Sequence, residues 1–214
     1  MLKRPKPVQL RAITGGRANA EAELSDAELF EAVARGDKRV ASELYHRLGP
    51  AVEHALIRIF GRREVDHDDL VQSSFEQIVL TLARRRYAQA CSLKTWASTI
   101  AANVALKAMR SRQRERRVFT ADGGPLTELV SAATDVEHEA SVHRELDRLR
   151  KHLAAIGSAK AQAVLLHDVL GHDLAEIATI ANCSVSAAQS RLVRGRRELA
   201  ARLEREQAPA RRQR

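Results

Sequence analysis

The chain has 214 residues, enough for one domain or two small ones, and its composition excludes several classes of protein. It is rich in Ala, Leu and Val, and aromatic residues make up 3% of it, which favours helices over sheets. Cys91 and Cys183 are isolated, so neither a disulfide framework nor a zinc motif is indicated. The sequence has no secretory signal and no apolar run of transmembrane length. We therefore expect a cytoplasmic protein without a membrane partner, a metal or another cofactor.

The formal net charge of +9 is concentrated in two segments. In residues 107–117, six basic residues accompany one acidic residue, and in residues 191–214 nine arginines accompany three glutamates. A more acidic middle separates the two segments. Two basic patches of this kind indicate two contacts with a polyanion such as nucleic acid.

Apolar residues recur at helical spacing, which predicts an all-α fold of two small helical domains joined by a flexible linker. The linker contains the run Gly123-Gly124-Pro125 and has weak periodicity. The expected parts are a mobile tail at 1–23, a first domain at 24–117, the linker at 118–139, a second domain at 140–206 and a basic tail at 207–214.

A helix that begins after Asp66, its expected N-cap, has one acidic and amide-rich side. An apolar stripe on this helix, from Leu70 through Val79 to Leu82, is expected to be buried. The outward side is called the acidic face here and consists of Asp66, Asp69, Gln72, Ser73 and Glu76. Such a surface repels nucleic acid, so we expect it to meet a protein. A solvated helix flank is the alternative.

A second helix is predicted from Ser92 to about Arg117. Along one edge of this helix, the side chains change from an indole at the start, through an amide, to cations near the end. This edge is called the cationic edge here and consists of Trp96, Thr99, Asn103, Lys107, Arg110 and Arg114. Phosphates of a nucleic-acid strand suit the cations, and a base suits the indole end. The alternative is that Trp96 belongs to the core and the cations only keep the surface soluble.

Residues 173–206 have the pattern of a helix, a short turn and a longer helix. Asp173 and Ser184 are expected N-caps, and Asn182 suits the left-handed conformation of the turn. The expected buried stripe of the longer helix consists of Val185, Ala188, Leu192, Leu199 and Leu203. The opposite side carries Ala187, Ser190, Arg191, Arg194 and Arg197. Small residues followed by guanidinium groups suit a helix that lies in the major groove of DNA, and an ordinary antiparallel helix pair is the alternative.

Three segments in this order resemble bacterial RNA polymerase sigma factors of the extracytoplasmic-function (ECF) group. The first resembles region 2.2 and reads DHDDLVQSSFEQIV. The second resembles regions 2.3 and 2.4 and reads SLKTWASTIAANVALKAMRSR, and the third resembles region 4.2 and reads DLAEIATIANCSVSAAQSRLVRGRREL. The resemblance covers roughly residues 27–117 and 142–203.

The resemblance implies a role for each surface. The acidic face would dock on the clamp helices of the polymerase beta-prime subunit, and the beta flap would be a further contact on the polymerase core. The −10 element of the promoter would be melted and read by Lys94, Trp96, Asn103, Lys107, Arg110 and Arg114. The loop at residues 87–93 would help to hold a base flipped out of the DNA strand. The −35 element would be contacted by Ser186, Ala187, Gln189, Ser190, Arg191, Arg194 and Arg197. This set is called the recognition face here. An anti-sigma factor is a possible further partner.

The chain departs from the family pattern at two places. Ala188 and Gln189 stand where the family usually has a valine and a basic residue, which implies an unusual −35 preference. Ile156-Gly157 replaces a leucine-proline pair near the start of region 4.

Two other functions have some support in the sequence. A conventional helix-turn-helix regulator would explain the second domain, but it would leave the acidic face unexplained. A metal-dependent phosphohydrolase is suggested by the pairs His167-Asp168 and His172-Asp173. Because Asp173 is already explained as an N-cap, we expect no enzyme and no catalytic residues.

Overall fold

The computed structural model describes residues 24–121 and 134–211. The expected tail at 1–23 and most of the expected linker lie outside these residues. Within them the chain forms eight α-helices and no strand, which confirms the all-α prediction. None of these helices is both long and apolar enough to cross a membrane.

The helices of the first domain are α1 (Asp26–Ala34), α2 (Ala41–Phe60), α3 (His67–Ala83) and α4 (Leu93–Ala121), with a 3-10 turn at Lys38–Val40 between the first two. The helices of the second domain are α5 (Thr134–Ala155), α6 (Ser158–Val164), α7 (Leu174–Ile180) and α8 (Val185–Arg211). A π-helical turn, Leu165–Val169, follows α6 directly. Both α4 and α5 extend into the segment expected to be the linker.

Two helix starts are fixed by short polar motifs, one of them at the predicted N-cap Asp173. Ser25 and Glu28 form a capping box, in which Ser25 Oγ accepts from the Glu28 amide at 3.3 Å and Glu28 Oε2 accepts from the Ser25 amide at 2.8 Å. Asp173 and Glu176 repeat this arrangement at the start of α7. Each such cap contributes about 0.5–2 kcal/mol, because it satisfies backbone donors that the helix leaves free.

The predicted cap at Asp66 is wrong. Asp66 occupies the N-cap position of α3, but its side chain makes no capping hydrogen bond. Its carboxylate instead accepts from Arg112, whose guanidinium also binds Glu64 at 3.2 Å and lies 5.1 Å from the ring centre of Phe60. A charged donor competes well for a carboxylate, since such hydrogen bonds are stronger than those between neutral groups.

The two domains pack directly against each other, which the sequence did not predict. Helix α4 contacts both α5 and α6, and one cluster of buried apolar side chains runs through both domains. Leu106 and Met109 belong to this cluster from α4, and Leu153, Ile156 and Leu166 belong to it from the second domain. The second domain therefore covers part of the surface of α4.

Helix α8 passes so close to α6 at Gly195 that no side chain fits there. A Cβ atom at this position would lie 2.9 Å from Val164 Cγ2 and 3.0 Å from the carbonyl oxygen of Lys160. We expect Gly195→Ala to lower the free energy of unfolding by about 1–3 kcal/mol through overpacking, measured by urea titration. Gly49→Ala is the matched control. A Cβ there would make an ordinary contact of 3.8 Å with Tyr45, so the better helix propensity of alanine should stabilise the protein by about 0.5–1 kcal/mol. A stabilising effect at both positions would contradict the close helix crossing.

Candidate nucleic-acid and protein interfaces

Helix α3 presents most of the acidic face to solvent. Asp69, Gln72 and Glu76 are exposed, and Gln72 Nε2 donates to Glu76 Oε1 at 3.1 Å. Asp69 has no hydrogen bond or ion pair with any described residue. Ser73 is half-buried, and Asp66 is bound to Arg112. The available part of this face therefore consists of Asp69, Gln72, Ser73 and Glu76.

An exposed leucine continues the acidic face toward the end of α3. Leu80 is 45% exposed and lies four residues after Glu76, so it shares the same side of the helix. Val79, which was predicted to be buried, is 43% exposed. Charged and apolar groups side by side on an open helix favour a protein partner over solvent. The sequence did not point to Leu80, because the polar residues near it define the exposed side of the helix. An apolar residue does not reveal its own exposure.

Aromatic packing fixes the loop before α4. The Tyr87 ring lies between Phe30 and Trp96, with ring centres 5.7 and 5.0 Å away. Burial raises the pKa of Tyr87 to about 12, so its phenol stays protonated and donates to the carbonyl oxygen of Cys91 at 2.5 Å. Trp96 is half-buried against the core, and Thr99 is 4% exposed. Trp96, at the indole end of the cationic edge, therefore packs against the core and also remains partly exposed at the surface.

The cationic edge is divided between two surroundings. Lys107 and Arg114 are exposed and line a groove of about 540 Å³ between α3 and α4, opposite Ser73 and Glu76. Neither cation has a hydrogen bond or ion pair with a described residue. Lys94, on the first turn of α4, is also exposed. These three cations are open to a ligand.

Arg110 is half-buried against the second domain, which differs from the expectation that it is open, whereas Asn103 is exposed and contacts that domain through one hydrogen bond. The Arg110 guanidinium donates to the carbonyl oxygens of Ala154 and Ile156 at 3.2 and 3.4 Å. Asn103 Oδ1 accepts from Gln162 Nε2 at 3.0 Å. Helical periodicity places both residues on the same edge as Lys107, but it does not reveal what covers that edge.

The second domain forms the predicted helix-turn-helix. Asn182 has a left-handed backbone with φ of 45°, and Ser184 Oγ accepts from the Ala187 amide at 3.1 Å at the start of α8. The expected stripe is buried at Ala188, Leu192 and Leu199 and half-buried at Leu203. Val185 is 49% exposed, so its predicted burial is wrong. Val185 is the first residue of α8, at a position where the helix does not yet pack against other helices.

The recognition face is open along α8. Ser186, Gln189, Ser190, Arg194 and Arg197 are exposed. Ala187 and Arg191 are half-buried. The three arginines of this face have no hydrogen bond or ion pair with any described residue. By contrast, Arg196 and Arg202 of the same helix bind Asp168 and Glu198. Among the described side chains of α8, the arginines without a partner therefore lie on one side.

The histidines of the two His-Asp pairs contact carboxylate side chains. Asp168 accepts from both His167 and Arg196, which together lower its pKa, the Arg196 hydrogen bond most. His172 Nδ1 lies 3.2 Å from Glu176 Oε2. Among the described residues, no three His, Cys, Asp or Glu side chains come together in a way that suits a metal ion.

Glu206 joins the end of α8 to α5 through a pH-sensitive contact. Its carboxylate lies 2.6 Å from His152 Nε2 and 3.1 Å from Lys151 Nζ. These hydrogen bonds, that of His152 foremost, lower the pKa of Glu206 from 4.5 to about 2. A depressed carboxyl pKa stabilises the folded state above the unfolded pKa, and this stabilisation is lost as the pH falls through the folded pKa.

We therefore expect Glu206→Gln to be less stable than the wild type at pH 7, and the difference to shrink from pH 4.5 toward pH 2. The measurement is the free energy of unfolding of both proteins across this range. A difference that stays constant over these pH values would contradict the ion cluster.

These features define a class: an all-α protein with a helix-turn-helix in one domain and an acidic face beside a cationic edge in the other. Family models match both domains, with Sigma-70 region 2 over residues 44–115 and Sigma-70 region 4 over residues 158–199. The chain belongs to the sigma-70 family of RNA polymerase sigma factors, in its ECF group.

Similar proteins cover most of the chain. It is 30% identical over 185 residues to the RNA polymerase sigma factor NccH of Alcaligenes xylosoxydans xylosoxydans, a match that covers 85% of this chain and 98% of NccH. It is 28% identical over 178 residues to the ECF RNA polymerase sigma factor SigM of Mycobacterium tuberculosis, over 83% of this chain and 84% of SigM. A solved structure of CnrH in complex with the cytosolic domain of CnrY matches at 23% identity and a TM-score of 0.46, over 84% of this chain and 97% of that one.

Proposed function

We propose that this protein binds core RNA polymerase through the acidic face and directs it to promoters, where the recognition face contacts the −35 duplex and the cationic edge contacts the −10 element. It acts in the cytoplasm, where polymerase and promoter DNA meet. The protein binds polymerase and captures a DNA strand, and it carries out no catalytic step of its own. An anti-sigma partner stays a prediction of the resemblance.

The observation that carries the proposal is the contrast among the arginines of α8. Arg196 and Arg202 are neutralised by acidic side chains, whereas Arg191, Arg194 and Arg197 lie unpaired on one side, next to small polar residues at the helix start. Phosphates are the natural partners of such guanidinium groups, and small side chains let the helix enter the major groove. The position of this face after a helix-turn supports duplex DNA as its ligand.

The opening of the promoter follows from binding energy. Extruding and unstacking a base costs a few kcal/mol. The loop at residues 87–93 offsets this cost by holding the single strand, together with the nearby cations Lys94, Lys107 and Arg114. Polymerase holds the two domains at a fixed separation, so the second DNA contact forms at a high effective concentration. No nucleotide hydrolysis is needed for this step.

Run-off transcription tests the proposed function. Core polymerase is combined with the full chain on a library of promoter sequences, and the transcripts are sequenced. We expect selected templates with two motifs at a fixed spacing, and loss of transcripts as salt rises because phosphate contacts dominate DNA affinity. Transcripts no more selective than those of core polymerase alone would overturn the proposal. Sequence-specific binding of duplex DNA in the absence of polymerase, together with no core binding, would support the conventional regulator instead.

A further inference from the structure

Helix α1 holds the connection between α3 and α4 at both of its ends. At the first end, the Arg85 guanidinium donates to both carboxylate oxygens of Glu31, each at 2.9 Å. At the second end, the amide of Leu93, the first residue of α4, donates to Asp26 Oδ2 at 3.0 Å. These partners are 54 and 67 residues apart in the chain, so the tertiary fold brings each pair together.

The middle of the same connection also packs on α1. Phe30, which is 4% exposed, lies edge-on to the ring of Tyr87. The Tyr87 hydroxyl donates to the carbonyl oxygen of Cys91, and its ring packs against Trp96. Helix α1 therefore supports the whole loop at residues 87–93 and, through Tyr87, the indole beside it.

The backbone of the connection needs this support. Arg85 and Gln89 have left-handed backbone conformations, with φ of 52° and 54°, which residues other than glycine rarely adopt. Arg85 also ends α3 in a Schellman motif, at the position where glycine is usual. Such conformations persist only where surrounding contacts fix them. Because α1 supplies contacts at both ends and in the middle, the shape of the loop depends on α1.

Helix α2 fixes the Asp26 carboxylate in turn. The guanidinium of Arg47, on α2, lies 3.5 Å from Asp26 Oδ1. It also binds Glu43 at 2.6 Å and the carbonyl oxygen of Leu24. The Arg47 side chain is 11% exposed, so this ion pair is largely shielded from water. One oxygen of Asp26 thus meets α2, and the other accepts from the start of α4.

We propose that α1 positions the loop at residues 87–93, and that Asp26 and Glu31 thereby determine how well this loop accepts a base flipped out of the −10 strand. This inference rests on the proposed function, because it concerns the same loop. Carboxylates repel phosphates, so both residues act through the loop and not by binding the strand. They are positioning residues. A pocket must have its walls in place before the base arrives, because a loose pocket loses the binding energy that offsets extrusion of the base.

The first test measures the loop in the free full-length chain. Trp96 is the one tryptophan of the sequence and packs on Tyr87, so its fluorescence reports the position of the loop. Asp26→Ala removes the acceptor of the Leu93 amide, and we expect quenching of Trp96 by acrylamide to rise. Asp26→Asn keeps an oxygen at this position and should restore the wild-type value.

Glu43→Ala is the matched control, because Glu43 binds the same Arg47 but no described residue of the loop or of α4. Its quenching should equal that of the wild type. Glu31→Ala is the second variant if Asp26→Ala does not fold. The side chains of Glu31 and Arg85 are 40% and 56% exposed, and the fold depends little on an ion pair of this kind. Unchanged quenching in both Asp26→Ala and Glu31→Ala would overturn the positioning role of α1.

The second test locates the effect at one base. Holoenzyme is titrated with a promoter whose −10 element is already melted and in which each base of the non-template strand is replaced in turn by an abasic site. With the wild-type chain, the abasic site at the flipped position should weaken binding by about tenfold, the size expected for one lost base contact. In Asp26→Ala this loss should largely disappear at that position only, and Asp26→Asn should restore it. A general loss of structure would not act on a single base.

The two tests separate this inference from the proposed function. The fluorescence measurement contains neither polymerase nor DNA, so its failure overturns the role of α1 alone. An abasic effect that is equal in the wild type and in Asp26→Ala would overturn the coupling of α1 to base capture. A wild-type holoenzyme insensitive to every abasic site would overturn base capture by the loop. Absence of selective run-off transcripts would overturn the proposed function and leave the contacts of α1 intact.

Discussion

Replacing Asp69 by lysine is expected to abolish association with core RNA polymerase while the protein stays folded. Asp69 is exposed on α3 and has no partner among the described residues, so its substitution breaks no internal contact. At a complementary interface, however, a reversed charge places like charges together, which costs several kcal/mol and weakens binding by about 100-fold or more. The measurement is fluorescence anisotropy of the labelled chain titrated with core polymerase.

Asp68→Lys is the matched control for this prediction. It makes the same charge change one residue earlier on α3, off the acidic face, where Arg63 is the one ion-pair partner of Asp68 among the described residues. Loss of an exposed pair of this kind costs about 0–1 kcal/mol of stability. Core affinity should change little. Normal holoenzyme formation by Asp69→Lys would show that the docking surface lies elsewhere.

The double substitution Arg191→Ala and Arg194→Ala is expected to remove most −35-dependent transcription and to leave core binding intact. Both side chains lie on the recognition face without a described partner, so their loss affects a ligand and not the fold. Each lost phosphate contact should lower the slope of log affinity against log salt by about one unit, or about two for the pair. The measurements are run-off transcription on the selected promoter and duplex binding by holoenzyme across a salt series.

Arg196→Ala separates the loss of a DNA contact from the loss of a positive charge. Arg196 lies on the same helix but binds Asp168 inside the second domain. It should therefore keep the salt slope of the wild type. A slope that falls equally in Arg196→Ala would mean that only the general charge of α8 matters. Loss of core binding in the double variant would contradict the assignment of core binding to the first domain and of −35 binding to the second.

Local features of the fold were predictable because they depend on residues close together in the chain. The capping boxes at Ser25 and Asp173 and the left-handed turn at Asn182 each need only a few neighbouring residues with the right side chains. The faces of α3 and α8 follow from periodicity for the same reason. The predictions that Val79 and Val185 are buried were wrong, because an apolar residue in a helical pattern is buried only where another element packs against it.

Features that depend on contacts distant in sequence were not predictable. Asp66 was expected to cap α3 but meets Arg112, 46 residues away, and Arg110 was expected to be open but meets Ala154, 44 residues away. In both cases an arginine meets acceptors that only the tertiary fold brings within its reach. Gly195 is different, since a glycine inside an otherwise strong helix already indicates a close approach.

The domain arrangement shows the same limit. A glycine-rich, weakly periodic segment predicts that two domains can move relative to each other, but not whether they touch. The buried cluster shared by the domains, together with Arg150 and Arg110, shows that they do. The open cationic surface of α4 is smaller for this reason than its sequence indicates.

The most direct test of a sigma-factor function is whether the purified chain binds core polymerase in the absence of DNA. A labelled wild-type chain titrated with core enzyme should bind saturably, and an unlabelled copy should displace it. A chain that is folded by circular dichroism yet shows no affinity for core enzyme would contradict the assignment of the acidic face and, with it, the whole promoter-recognition function.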